Sequence, residues 1–161
     1  MRKVHFLTFS IIGIGMIYSL AYANPSCRSQ VPDSEDADRC IKKVVNQDVA
    51  GLYNFALAKG HLADTGDIGT ECEDLNMPGR RSYFSKDRKL FTTAIQSIAF
   101  IDCEQNYENL DFWACHGTIK GHACTRKPNA DNFITTTTVF FSVSRQTGNI
   151  LTFYPVPGRG Y

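Results

Sequence analysis

Six cysteines, Cys27, Cys40, Cys72, Cys103, Cys115 and Cys124, constrain this chain more than any other feature of its sequence. An even number of cysteines behind an apolar leader reads as a set of disulfides, and so as a domain that folds in an oxidising compartment. Spacing alone selects no pairing. The expectation carried forward is that Cys115 and Cys124 close a short loop, a bridge that would restrict the unfolded chain by about 2–3 kcal/mol.

The leader is explicit. Met1 to His5 is short and basic, Phe6 to Leu20 carries no charge, and Ala21-Tyr22-Ala23 places small residues where a signal peptidase reads. Residues 1–23 are therefore expected to be a signal peptide, and residues 24–161 a single exported domain, periplasmic or secreted. The alternative is retention as an anchor, because Phe6 to Ala23 is a run of 18 uncharged residues, at the lower edge of what spans a bilayer. With cleavage there is no stable membrane anchor.

Charge then excludes one class of partner. Of 17 basic and 16 acidic residues, Arg2 and Lys3 leave with the leader, so the domain is close to neutral. That gives no electrostatic footprint for nucleic acid.

The periodicity predicts helices first and sheet last. Asp33 or Ser34 can cap a helix, and Ala37, Cys40, Ile41, Val44, Val45, Val49, Leu52, Phe55 and Ala56 form one apolar stripe ending near Lys59-Gly60. Leu62 to Arg81, glycine-rich and acidic, reads as a long loop pinned by Cys72. A second helix capped by Ser82 or Ser85 buries Leu90, Phe91, Ala94, Ile95 and Ile98. Phe112 to Lys120 reads as a strand. Phe133 to Ser144 reads as a stronger one, with Phe133, Thr135, Thr137, Val139, Phe141 and Val143 on one face. A glycine-containing hairpin, Arg145 to Asn149, leads to a partner strand, Ile150 to Val156, which Pro155 and Pro157 place at a sheet edge. The expected class is α+β: N-terminal helices packed on a curved antiparallel sheet, stabilised by disulfides.

Four constellations bear on chemistry. Cys115-His116 and His122-Cys124 together offer zinc-ligand types, but neighbours on a strand face opposite ways and an oxidising compartment favours disulfides. Asp64-Thr65-Gly66 matches the short signature around an aspartic-protease carboxylate, but such an enzyme needs two copies and the chain has one. The acidic run Asp64, Asp67, Glu71, Glu73 and Asp74 fails the spacing of a helix–loop–helix calcium site. The basic residues Arg80, Arg81, Lys86, Arg88 and Lys89, then Lys120, Arg126 and Lys127, read as ordinary surface charge. No metal or cofactor is called for.

The order of elements also carries a resemblance. Leu52-Tyr53-Asn54-Phe55, then Tyr83-Phe84-Ser85 opening a helix with Phe91 and Ala94-Ile95, then a tryptophan-bearing strand and a threonine-rich strand, resembles the cystatin-like, nuclear-transport-factor-like α+β superfamily. Within it the pattern is most similar to exported IcmL/DotI-like domains linked to type IV secretion. That resemblance implies helices against a curved antiparallel sheet, and no site residue follows from it.

The functional expectation is a protein-binding module that is not an enzyme, an envelope or secretion-system accessory whose partner is another protein. One alternative is an inhibitor or immunity protein blocking a lysozyme-like enzyme or toxin. In that reading His116, Lys120 and His122 sit on a rigid finger between Cys115 and Cys124, pre-organised to enter an acidic cleft. A second alternative is a small hydrolase using His116 or His122 with neighbouring lysines.

Overall fold

The computed structural model describes residues 23–64, 72, 82–127 and 132–158, with the side chain of His122 outside that set. Apart from Ala23, the expected leader lies outside the described residues. So does the expected 62–81 loop, apart from Leu62, Ala63, Asp64 and Cys72.

Helix α1 (Ser34–Gln47) starts where the sequence puts it. The Asp33 carboxylate accepts the Asp36 N–H at 2.8 Å, and Glu35 and Asp36 complement the positive helix end. The Asp36 carboxylate also pairs with Arg39 and raises the pKa of that guanidinium. The single apolar stripe expected to run on to Ala56 is divided between two helices. Asp48, at φ −139° and ψ 43°, still donates its N–H to Val44 O, while its carboxylate accepts the Gly51 N–H at 3.0 Å. One residue thus ends α1 and opens α2 (Val49–Ala58). That helix closes on Gly60 (φ 71°) in a Schellman arrangement, with Gly60 N–H donating to Leu57 O and His61 N–H to Ala56 O.

Strand β1 (Leu62–Ala63) pairs in parallel with β2 (Phe84–Ser85). Helix α3 (Arg88–Gln96) follows. Its cap is Asp87, where Ser82 or Ser85 was expected: the Asp87 carboxylate accepts the N–H groups of Lys89 and Leu90, and Ser85 Oγ accepts the Asp87 N–H. The main sheet is antiparallel with order β3 (Ala99–Gln105), β4 (Phe112–Arg126), β5 (Phe133–Ser144) and β6 (Ile150–Val156). The architecture is α+β, with helices packed on one face of the sheet. Among the described residues no helix is long and apolar enough to cross a membrane.

Aromatic rings join the two layers. Phe84 stacks on Phe153 at 4.6 Å and Phe141 on Phe153 at 5.1 Å, while Phe91 meets Phe84 edge-on at 5.5 Å. All four rings are buried, each worth about 1.5–3 kcal/mol relative to exposure. Trp113 belongs to the same core. Its Nε1–H donates to Val31 O at 2.8 Å, and the Arg145 guanidinium lies 5.1 Å above the ring.

Two sheet expectations are corrected. Strand β4 does not stop at Lys120 but continues to Arg126, across a register shift between Thr118 and Ala123 that places Gly121 at φ 122°. The same shift changes the phase of β5: Val139, Phe141 and Val143 are buried as expected, but Thr136 is buried and Thr137 exposed.

The disulfide expectation is also overturned. Cys115 and Cys124 occupy one strand, so about 20 Å separates them even allowing for the bulge. A disulfide needs Cα atoms within about 7 Å. The bridges are Cys27–Cys40, Cys72–Cys124 and Cys103–Cys115. The first straps the N-terminal segment to α1, where Cys27 N–H donates to Gly148 O and Ile150 N–H to Pro25 O. The second holds Cys72 in a small buried cluster with Ala63, Tyr83 and Phe133. The third links β3 to β4 at directly opposed positions.

Candidate binding face

Strand alternation decides which side chains leave the core. In β4 and β5, Trp113, Cys115, Val139, Phe141 and Val143 point inward. Their neighbours Ala114, His116, Thr118, Thr138, Phe140 and Ser142 therefore occupy the outer face, where His116 is opposite Phe140 and Thr118 opposite Thr138. Tyr154 on β6 is opposite Phe140, and Asp102 on β3 is opposite His116.

This register produces a row of rings across the sheet. His116 tilts against Phe140 with centroids 5.3 Å apart, and Phe140 tilts against Tyr154 at 5.3 Å. Tyr154 then stacks on His61 at 5.5 Å. The His61 ring is fixed by its Nδ1, which donates to Ser82 O at 2.9 Å, so the end of α2 closes the row beside the edge strand. Each of the four residues is half-buried, and each ring meets at least one neighbouring ring.

Beside His116 the surface dips. A concavity of about 360 Å³ is lined by Phe100, Asp102, His116, Thr118, Thr138 and Gly158. Phe100 sits at a register shift between Ala99 and Asp102, with φ 52°, and the residue is 87% exposed. The left-handed region is costly for a bulky residue, and such outliers persist where the surroundings impose them. Asp102 and Glu104, next on the same exposed side of β3, make this edge acidic.

Of the three residues singled out from sequence, the fold brings His116 into the concavity. Lys120 is exposed on the β4 bulge, its backbone N–H donating to Ser97 Oγ and its carbonyl accepting from the same hydroxyl, and it does not line the concavity. His122 follows on β4, its side chain outside the described residues. The finger expected between Cys115 and Cys124 is a strand of the main sheet, so these three residues do not sit on a short loop closed by that pair.

The other motifs disperse. Asp64 pairs with Lys86 at 3.7 Å, while the remainder of Asp64-Thr65-Gly66 and the carboxylates from Asp67 to Asp74 lie outside the described residues. Arg88 lies over the Tyr53 ring and Arg126 over that of Phe133. Arg80 and Arg81 lie outside the described residues. Among the described residues no group of three or more histidine, cysteine or acidic side chains is placed to hold a metal.

Phe100, Asp102 and Tyr154 were not selected from sequence. Tyr154 could have been, since it adjoins the inward Phe153 and therefore falls on the opposite phase of β6. No family model matches the chain, and no curated protein or solved structure matches it.

Proposed function

We propose that this protein is an exported, disulfide-braced binding module that contacts another protein through the outer face of its sheet. The observation that carries the reading is the ring row His116–Phe140–Tyr154 on the outer face of the sheet, closed at its end by His61. Aromatic side chains dominate the energetics of protein interfaces. Rings held on strands and supported by neighbours lose little further freedom on binding. The export signal in the sequence and the three disulfides support a periplasmic or secreted setting. The resemblance to IcmL/DotI-like domains supports a partner in an envelope or secretion complex.

The test is capture from an envelope fraction under non-reducing conditions, with wild type, Phe140→Ser and Leu57→Ser compared. Leu57 is exposed on α2 and outside the row, so its substitution should leave the captured set unchanged while Phe140→Ser removes the specific partner. Equal capture by wild type and Phe140→Ser, or a partner set drawn from the cytosol with all six thiols free, would sink the reading.

An inhibitor or immunity role is a narrower form of this proposal. It acts through the ring face and the acidic β3 edge, in place of a finger aimed at an acidic cleft. A hydrolase reading rests on one observation, Asp102 opposite His116, since a carboxylate can orient an imidazole for proton transfer. It requires turnover that disappears in His116→Ala.

A further inference from the structure

We infer that the concavity beside Phe100 receives an arginine side chain of the partner protein. The inference rests on the binding-face reading and names the chemistry that one end of that face recognises.

The first ground is the placement of Phe100. The residue is 87% exposed and has a left-handed backbone at a bulge. The chain's other cation–ring contacts are satisfied internally: Arg88 lies over Tyr53, Arg126 over Phe133, Arg145 over Trp113 and Lys59 over Phe55. Among the described residues, neither a cation nor a second ring lies over Phe100.

The second ground is what stands beside it. Asp102 lines the same concavity, and Glu104 continues the acidic edge along β3. An aromatic face next to a carboxylate suits a guanidinium better than an ammonium. The planar group can stack on the ring and present two N–H donors to the carboxylate together, and it gives up its hydration more readily. Thr118, Thr138 and His116 line the same concavity and add polar character to it. The opening of about 360 Å³ is ample for a single side chain and small for a folded element.

The experiment is a titration of the isotopically labelled domain, disulfides intact, with N-acetyl-arginine amide and, in parallel, with its neutral citrulline analogue. Arginine amide should shift the amides of residues 100–104 and 116–118 saturably at about millimolar concentration. The citrulline analogue should not. Asp102→Asn should weaken the arginine response about tenfold or more. Phe100→Gly should weaken it several-fold with the rest of the spectrum unchanged, which separates loss of the ring from loss of the fold. No saturable response, an equal response to citrulline, or full retention by Asp102→Asn would each overturn the assignment. The two proposals fail separately. Partner capture that depends on Phe140 but not on Asp102 or Phe100 removes the arginine site and leaves the binding face. Arginine binding with capture indifferent to Phe140 does the reverse.

Discussion

Cys103 on β3 and Cys115 on β4 are directly opposed and bridged, one residue from the opposed pair Asp102 and His116. The disulfide therefore fixes the register that places a carboxylate across from an imidazole. A slip of β3 by one residue would turn Asp102 to the other face, away from His116. Cys103→Ala combined with Cys115→Ala should cost about 2–3 kcal/mol, the loop-closure value for a bridge between residues 12 apart. Urea denaturation under oxidising conditions measures this, and the same variant should bind arginine amide more weakly. Unchanged stability would show that the sheet holds the register without the bridge.

Gly148 is the tightest point of the N-terminal strap. It has φ 65°, its carbonyl accepts the Cys27 N–H, and a Cβ there would collide with the Cys27 sulfur and the Ser29 carbonyl. Gly148→Ala should therefore combine left-handed strain with a steric clash and lower stability by about 2–4 kcal/mol. A thermal melt compared with wild type tests this. A loss below about 1 kcal/mol would mean that the strap moves aside freely.

Phe100→Gly should behave in the opposite way. The ring contributes little burial, and glycine occupies the left-handed region without steric cost. The variant should be as stable as wild type or more so, by up to about 1 kcal/mol, while losing affinity for arginine amide. A clear fall in denaturation midpoint would show that the ring is packed in solution.

The helix junction offers a local test. Asp48→Ala removes the carboxylate that accepts the Gly51 N–H and should cost about 1 kcal/mol, with a small loss of helical signal in far-ultraviolet circular dichroism. If stability rises and helicity increases, α1 and α2 are tending toward the continuous helix that the apolar stripe suggests.

Much of the architecture could be read from local patterns. The α1 stripe, the Asp33 cap, the Lys59-Gly60 stop and the β5–β6 hairpin all depend on residues close in sequence, and each lies where the pattern places it. What failed was in part a local competition between caps and in part a matter of distant partners. Asp48 divides a stripe whose periodicity runs through it unbroken, because one side-chain cap outweighs a continuing pattern. Cys115 and Cys124 look like the ends of a loop until β4 is seen to run past Lys120, paired with β5 on one side and Tyr83 on the other. The candidate site was half legible. His116 stood out by residue type, but its neighbours Asp102 and Phe100 reach it through cross-strand register and a bulge, which no local spacing encodes.

The N-terminal strap also sets the molecule's orientation on anything it is joined to. Ser26 pairs with Asn149 and Ile150 with Pro25, so the chain enters the domain at the hairpin end of the sheet. Thr138 and Gly158 border the concavity toward the other end of β5, about 20 Å away along the strand. A carrier fused ahead of Ala23, or a surface holding that end, would stand behind the domain and leave the acidic, ring-lined end facing outward.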